Sequence, residues 1–192
     1  MADPLNIVVP VKGLHDGKSR LANTLSPDER ASLNTFLADR TLACIANTRP
    51  DTVRWVVSPD PGVADLARRH NANFHRQSET GLNVGLSEIS RKLAPTRTLY
   101  IAADLPGLAI QDIEWLSGTA GIAIAPDEKG LGTNALSLPA PDTIAFRFGA
   151  GSFEAHENEA SLTGFPVDIA TLPGLLFDLD TKDDLSRLEG WP

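Results

Sequence analysis

The sequence has little cysteine, no long apolar run and no excess of positive charge. Its single cysteine, Cys44, cannot form a disulfide within the chain, and we expect a buried thiol in a reducing compartment. No apolar run approaches the roughly 18 residues of a membrane-spanning helix, and no leader peptide is evident, so we expect a cytoplasmic protein. The net charge of −8 argues against partners such as nucleic acid or a membrane surface.

A zinc site is also not expected, because His15, His70 and His75 have no metal-binding spacing with one another or with the cysteine. The composition is that of an ordinary globular protein, with 42% hydrophobic and 22% charged residues. A chain of 192 residues can bury a substantial core without a staple. We find no repeat or linker and predict one domain over 1–192. The oligomeric state stays open, a homo-oligomer included.

Strand-like and helical patterns alternate along the chain. Helices are predicted from Pro27 onward, where Ser26 and Glu29 form a capping box, at 63–70, 82–93, 110–116 and 152–159, and after Thr181. Strands are predicted at 5–11, 52–58, 73–76, 98–103, 121–125, 134–138 and 165–169. This alternation indicates an α/β fold with a mostly parallel sheet covered by helices on both faces. Such sheets bind ligands beyond the carboxyl ends of their strands.

The loop after the first strand carries a local cluster of positive charge. It contains Lys12, Lys18 and Arg20, together with Gly13 and Gly17. The glycines stand one residue too close for a P-loop, and no long helix follows at once, so a P-loop hydrolase is not favoured. Glycine amides beside three cations still suit a triphosphate. A solvated charged loop is the alternative.

Carboxylates occur at two places, one after a predicted strand and one within an extended segment. Asp104 comes directly after the strand at 98–103, and Asp178 and Asp180 alternate so that both side chains point to one side. A carboxylate in this place often holds Mg²⁺ against phosphate oxygens. The alternatives are that Asp104 caps a turn or helix and that Asp180, with Thr181, merely caps the last helix.

Two glycine-and-hydroxyl loops lie in the second half of the chain. One contains Thr133, and the other contains Gly149 and Gly151 and leads into a helix that begins at Ser152. Free amides and a hydroxyl at a helix N-terminus form an anion site. His156 follows one turn later on the face that Ser152 occupies. The alternative is a surface turn followed by a capped helix. The loop at 77–85 offers groups able to read a base edge, but such loops are common.

Taken in order, these motifs resemble the guanylyltransferases that make the activated phospho-acid of coenzyme F-420, the 2-phospho-L-lactate guanylyltransferase family. The resemblance covers essentially the whole chain. Ala150 stands where proline is frequent in that family. The motifs are Pro10-x-Lys12, Lys18-Ser19-Arg20-Leu21, Gly81-Leu82-Asn83, Asp104-Leu105-Pro106, Gly132-Thr133-Asn134, Phe148-Gly149-x-Gly151-Ser152-Phe153 with His156, and Asp178-x-Asp180-Thr181.

The resemblance implies a Rossmann-like, single-domain nucleotidyltransferase that transfers GMP from GTP to the phosphate of a small phospho-acid and releases pyrophosphate. The acceptor would be 2-phospho-L-lactate, phosphoenolpyruvate or 3-phospho-D-glycerate. The alternatives are a nucleotidyltransferase of the same fold acting on molybdopterin or a sugar phosphate, and a non-catalytic nucleotide-binding domain. The implied site comprises Lys12, Lys18, Asp104 and Asp178 for catalysis, Lys12, Lys18, Arg20, Leu82 and Asn83 for GTP, Thr133, Gly149, Ser152 and His156 for the acceptor, and Asp104, Asp178 and Asp180 for Mg²⁺.

Overall fold

The computed structural model describes residues 4–15, 17–48, 51–188 and 191. These residues form one seven-stranded sheet with helices around it. The strands are β1 Leu5–Pro10, β2 Thr52–Ser58, β3 Asn73–Arg76, β4 Thr98–Ile101, β5 Ile122–Pro126, β6 Thr133–Leu138 and β7 Val167–Ile169. The helices are α1 Pro27–Ala46, α2 Ala64–Arg69, α3 Leu82–Ser90, α4 Ile110–Gly118, α5 Ser152–Ser161, α6 Pro173–Leu176 and α7 Lys182–Leu185, with short 3-10 turns at Ser19–Leu21 and Pro61–Val63.

The sheet has the strand order β3-β2-β1-β4-β6-β5-β7 and is mostly parallel. β6 runs antiparallel to both of its neighbours, β4 and β5. The short 127–132 connection between β5 and β6 forces this direction, since a parallel pair needs a long crossover. The predicted mostly parallel α/β sheet is therefore confirmed, with one reversed strand added.

Strand order reverses beside β1, and this reversal locates the ligand crevice. From β1 the chain continues to β2 and β3 on one side, then returns to place β4 on the other side of β1. Ligands of open α/β sheets bind beyond the strand ends at such a switch point. Lys12 follows β1 and Asp104 follows β4, so the fold brings both residues to this crevice.

Two apolar layers cover the faces of the sheet. One packs Leu42 of α1, Leu66 of α2 and Leu116 of α4 against the sheet, and the other packs Leu86 and Ile89 of α3. Burying each such side chain contributes about 1.5–3 kcal/mol. The helices therefore cover both faces of the sheet, and the polar loops follow the carboxyl ends of its strands.

A third, smaller cluster joins the first loop to the C-terminal segment. Leu21 and Leu25 pack there against Leu33 and Leu37 of α1 and against Leu179. α1 begins with the predicted capping box, in which the Ser26 hydroxyl accepts from the backbone N–H of residue 29. This packing holds Lys18 and Asp180 close together although they are distant in sequence.

Several element boundaries differ from the sequence prediction. α3 ends at Ser90, β4 ends at Ile101, and α6 was not predicted because its four residues are too few for a helical period. α7 begins after Thr181 as expected. Cys44 is half-buried against the core, and burial raises the pKa of its thiol. Among the described residues, no helix combines the length and the apolar character needed to cross a membrane.

Candidate active site

A cleft of about 280 Å³ opens beyond the carboxyl ends of β1, β2 and β4. Its volume is near the lower end of the range of about 300–1,000 Å³ that small-molecule sites occupy. The aliphatic side chains of Val11, Leu37 and Val57 form part of its lining. The polar lining includes Lys12, Lys18, Gln77, Asp104 and Asp180, and the predicted nucleotide residue Leu82 lines it as well.

Two side chains from other parts of the chain hold the first loop over this cleft. Asn34 donates to the carbonyl of Leu14 at 2.7 Å, and Asp60 accepts from the N–H of Leu14 at 3.1 Å. Gly17 lies so close to Asn34 that a Cβ there would be 2.3 Å from the amide nitrogen. A side chain at position 17 would therefore displace the Asn34 amide from its contact with the loop. Sequence reasoning missed Asn34 and Asp60, because a polar residue within a helix or turn gives no local indication of a distant partner.

Lys18 is the buried cation of the site. Its backbone is left-handed, with φ 55°, and its side chain is only 5% exposed. The ammonium donates to Asp104 at 2.5 Å, to the carbonyl of Leu179 and to Asp180 at 3.3 Å. Burial lowers the pKa of Lys18, but the charges and hydrogen bonds of Asp104 and Asp180 outweigh burial and raise it above 10.5. Lys18 thus carries its charge at neutral pH.

Two carboxylates, Asp104 and Asp180, contact this ammonium, and the charges of both act on a third, Asp178. Burial, followed by the negative charges of Asp104 and Asp180, raises the pKa of Asp178 from 3.8 to about 6. Asp180 also accepts from Arg20 at 2.8 Å, and the Arg20 side chain is 73% exposed. The backbone N–H of Thr181 donates to the carboxylate of Asp184 and not to that of Asp180. The Asp180 carboxylate therefore pairs with cations and does not cap α7.

The chemistry of these oxygens fits Mg²⁺, although the carboxylates alone do not enclose an ion. No set of three or more His, Cys, Asp or Glu side chains in the described ranges is arranged to hold a metal. Mg²⁺ in nucleotide sites usually takes one or two carboxylates, and phosphate oxygens and waters complete its shell. Burial and then the charges of Asp104 and Asp180 raise the pKa of Asp178, and a bound cation would offset the part that is due to charge.

Asn83, a predicted nucleotide residue, has a different set of contacts. Its amide nitrogen donates to the carbonyl of Phe148 at 3.0 Å, and its amide oxygen accepts from the Phe148 N–H at 2.9 Å. Asn83 therefore joins the start of α3 to the second glycine loop. Gln77, absent from the predicted set, is buried and lines the cleft, and it donates to the carbonyls of Glu79 and Gly81.

The second glycine loop has the backbone of an anion site. Gly149 has φ +134° and Gly151 has φ +70°, conformations that L side chains rarely adopt, and the space beside both is open. α5 begins at Ser152 as predicted. Ser152 is 2% exposed, and its hydroxyl makes no hydrogen bond to any residue that the structure describes. The backbone N–H groups of Ser152 and Phe153 donate to the carbonyls of Gly149 and Leu131, so the donors left uncommitted by the described residues are the Ser152 hydroxyl and the amides of the glycine loop.

His156 lies behind this loop and has no exposed surface. Its Nδ1 lies 2.9 Å from the Thr133 hydroxyl, and its Nε2 accepts the backbone N–H of Arg147 at 3.0 Å. The Phe148 ring packs edge-on against the imidazole at 4.7 Å. Burial lowers the pKa of His156 to about 4; the charge of Glu159 opposes this shift and the charge of Arg147 adds to it. The structure therefore places His156 beneath Thr133, where both ring nitrogens are bonded within the protein.

Asn134 connects the two halves of the site. It follows Thr133 in β6, donates to the carbonyls of Leu175 and Leu176 at 2.9 and 3.0 Å, and lies close enough to Asp178 to lower the pKa of that carboxyl. The structure therefore brings the predicted lysines, Asp104 and Asp180 into one cleft, whereas Asp178 and the predicted acceptor residues do not line it.

Comparison with known proteins identifies relatives over nearly the whole chain. The family model described as "Guanylyl transferase CofC like" matches residues 5–189. A phosphoenolpyruvate guanylyltransferase of Sphaerobacter thermophilus is 42% identical over 190 residues, which cover 95% of this chain and 91% of that protein. A phosphoenolpyruvate guanylyltransferase of Rubrobacter xylanophilus is 39% identical, covering 95% and 92%.

Solved structures share the fold at low sequence identity. A putative nucleotide-diphospho-sugar transferase of Desulfovibrio desulfuricans G20 superposes with a TM-score of 0.76 at 20% identity, covering 96% of this chain and 85% of that one. A nucleotidyl transferase of Methanothermobacter thermautotroptrophicus gives 0.69 at 14% identity, covering 97% and 96%. These likenesses show the nucleotidyltransferase fold.

Proposed function

The chain belongs to the CofC-like guanylyltransferase family, and from this premise we propose that it transfers GMP from GTP to phosphoenolpyruvate. The choice of acceptor rests on the relatives, which cover most of the chain and carry that activity in their names. We further propose a role in coenzyme F-420 biosynthesis and a cytoplasmic location, because the chain resembles enzymes of that pathway. Residues 1–192 would serve as one catalytic domain.

The observation that carries this proposal is the pairing of a cleft lined by two lysines and two carboxylates with a separate anion loop. Lys12 and Lys18 line the cleft, where a triphosphate would meet positive charge. Gly149 and Ser152 lie at the N-terminus of α5, where a second phosphate would meet amides and a hydroxyl. A reaction between two polyanions needs such paired sites, since their mutual repulsion opposes every productive approach.

In the proposed reaction, an oxygen of the acceptor phosphate attacks the α-phosphorus of GTP. The new phosphoanhydride bond forms as the bond from the α-phosphorus to the departing β-phosphate oxygen breaks, and pyrophosphate leaves with that electron pair. The attacking oxygen needs no general base, because the second pKa of a phosphate monoester is about 6. Lys12, Lys18 and Arg20 would neutralise the triphosphate and stabilise the charge of the transition state.

Mg²⁺ bound to Asp104 and Asp178, with Asp180 nearby, would supply further neutralisation of the phosphate oxygens. Lys18 forms ion pairs with Asp104 and Asp180 of this cluster. We expect its ammonium to move from Asp104 to the triphosphate when the nucleotide binds, because both partners attract the same cation. Leu82 would contact the nucleoside from the cleft wall, and Asn83 would support the acceptor loop through Phe148.

The test is pyrophosphate release in the presence of Mg²⁺, measured with each common nucleoside triphosphate against phosphoenolpyruvate, 2-phospho-L-lactate and 3-phospho-D-glycerate. We expect the highest kcat/KM for GTP with phosphoenolpyruvate, and no release after EDTA treatment. Activity with GTP and a different phospho-acid would correct the acceptor. No release with any pair, despite measurable binding of GTP, would contradict the proposed reaction.

Asp104→Asn provides the matched variant for this assay. It keeps the size of the side chain but removes the charge that Mg²⁺ and Lys18 share, so turnover should fall by about a hundredfold or more. Asp168→Asn, on the exposed strand β7, changes the net charge equally and should leave turnover unchanged. If Asp104→Asn retained wild-type turnover at limiting Mg²⁺, the assignment of this carboxylate would be wrong.

A further inference from the structure

The hydrogen bonds of His156 determine which of its ring nitrogens carries the proton. The backbone N–H of Arg147 points at Nε2 from 3.0 Å, so Nε2 must present a lone pair. A neutral imidazole carries its single proton on the other nitrogen. Nδ1 is therefore the donor in the 2.9 Å contact with Thr133, and the Thr133 hydroxyl oxygen is the acceptor.

This arrangement fixes what the Thr133 hydroxyl can offer to a ligand. Since its oxygen already accepts from His156, its own proton is free to donate elsewhere. No other hydrogen bond of this hydroxyl is made within the described part of the chain. Phosphate and carboxylate oxygens are acceptors only, so an anion gains from a donated proton and is repelled by a lone pair. The opposite tautomer would turn Thr133 toward His156 and expose that lone pair.

We propose that His156 is a positioning residue for the phospho-acid: its Nδ1 proton holds the Thr133 hydroxyl as a donor to the acceptor's anionic group. This inference rests on the proposed function and deepens it. His156 itself touches no substrate, because it has no exposed surface. Its second hydrogen bond, to Arg147, holds the backbone that leads into Gly149, so one buried ring orients two parts of the acceptor site.

The surroundings of the ring maintain this state. Phe148 packs edge-on against the imidazole, and a ring turned by 180° would lose both hydrogen bonds. Burial keeps the pKa of His156 near 4, so the imidazole is neutral at pH 7. Its Nε2 therefore keeps the lone pair that accepts the backbone N–H of Arg147. The charged groups nearest the ring, Glu159 and Arg147, pair with each other at 2.7 Å.

Two amide variants separate the two functions of the ring. In His156→Asn the amide branches at the position of Nδ1, counted in bonds from Cα, so it can still donate to Thr133. In His156→Gln the amide lies one bond further, at the position of Nε2, where its oxygen can accept from Arg147 but nothing donates to Thr133. We expect the KM for phosphoenolpyruvate to rise about tenfold or more in His156→Gln and much less in His156→Asn, with the KM for GTP unchanged in both.

A double-mutant cycle tests whether His156 acts through Thr133. Thr133→Val removes the hydroxyl, and in that background His156→Gln should add no further increase in KM for phosphoenolpyruvate. Additive effects of the two substitutions would overturn the proposal, as would equal losses in His156→Asn and His156→Gln. Thermal unfolding of each variant separates these kinetic effects from a loss of folded protein.

The tautomer can be read directly on the wild-type protein, without any substitution. Two-bond ¹H–¹⁵N correlation of the histidine side chains should show His156 protonated at Nδ1 and unprotonated at Nε2. A proton on Nε2 would overturn the proposal. If wild-type protein showed this tautomer but no transfer to phosphoenolpyruvate, the proposed acceptor would fail and the positioning role would be tested by titrating inorganic phosphate against the same variants. Equal phosphate affinity in all of them would then overturn it.

Discussion

Replacing Asp178 by asparagine should stabilise the metal-free protein while abolishing its activity. The carboxyl is placed where burial and the charges of Asp104 and Asp180 raise its pKa from 3.8 to about 6. At about 1.4 kcal/mol per pKa unit, this rise corresponds to about 3 kcal/mol of penalty for the ionised form. Because the carboxyl is partly exposed, water screens the charges, and we expect about 1–2 kcal/mol. Asparagine avoids the penalty and keeps one acceptor oxygen for Asn134.

The pH dependence of the difference identifies its cause. The folded state binds the proton more tightly than the unfolded state, so wild-type stability falls as pH rises through the interval between 3.8 and about 6. The penalty is complete above that interval, and at about pH 4.5 only about a third of it remains. The advantage of Asp178→Asn should therefore be largest near neutral pH and shrink on acidification. Urea unfolding in EDTA, followed by tryptophan fluorescence, measures the difference.

Asp168→Asn is the control, since this carboxylate lies on the exposed edge strand β7. Its stability should stay within about 0.5 kcal/mol of wild type at every pH. Addition of Mg²⁺ should reduce or reverse the advantage of Asp178→Asn, because only the wild-type carboxylate gains from the cation. A wild-type protein as stable as Asp178→Asn at neutral pH in EDTA, or a difference independent of pH, would refute this reasoning.

Three further substitutions test other parts of the structure. Gly151→Ala places a side chain at φ +70°, which should cost about 1–2 kcal/mol in thermal unfolding and raise the KM for phosphoenolpyruvate, whereas Gly118→Ala meets no neighbour and should be neutral or slightly stabilising. Tyr100→Phe leaves the buried carbonyl that its hydroxyl contacts at 2.7 Å without a donor, so urea unfolding should show a loss of about 1–3 kcal/mol with unchanged kinetics. Lys18→Gln removes the resident cation of the carboxylate cluster, so Mn²⁺ should bind the nucleotide-free protein about tenfold more tightly by electron paramagnetic resonance, while the KM for GTP rises. Weaker Mn²⁺ binding would contradict the exchange proposed for Lys18.

The sequence predicted those features that follow from local rules. The capping box at Ser26 and the start of α5 at Ser152 depend on neighbouring residues only, and both were confirmed. The convergence of Lys12 and Asp104 required one further rule, that parallel strands place their carboxyl ends at one edge. The reversed direction of β6 was not predicted, because the short 127–132 connection was not used to decide the strand direction.

The roles of individual side chains depended on contacts that the sequence does not encode locally. Asn83 is predicted to bind the nucleotide, a role that remains a prediction, and its side chain contacts Phe148, which lies 65 residues away. Lys18 is predicted to bind the triphosphate, and its ammonium contacts Asp180, which lies 162 residues away. No periodicity or motif spacing reports such pairs. They appear only when the sheet has brought the loops together.

The tautomer inferred for His156 also bears on the choice among phospho-acids. If Thr133 can only donate, then Thr133 and the backbone amide of Gly149 both offer protons, and the Ser152 hydroxyl can do the same. A site rich in donors suits oxygens that only accept, which phosphate and carboxylate supply. The extra hydroxyl of 3-phospho-D-glycerate would have to give up its water without gaining a dedicated acceptor from these groups, and an unpaired buried hydroxyl costs about 1–3 kcal/mol. We therefore expect 3-phospho-D-glycerate to be a poorer substrate than phosphoenolpyruvate by about tenfold or more in kcat/KM, a difference that should narrow in Thr133→Val.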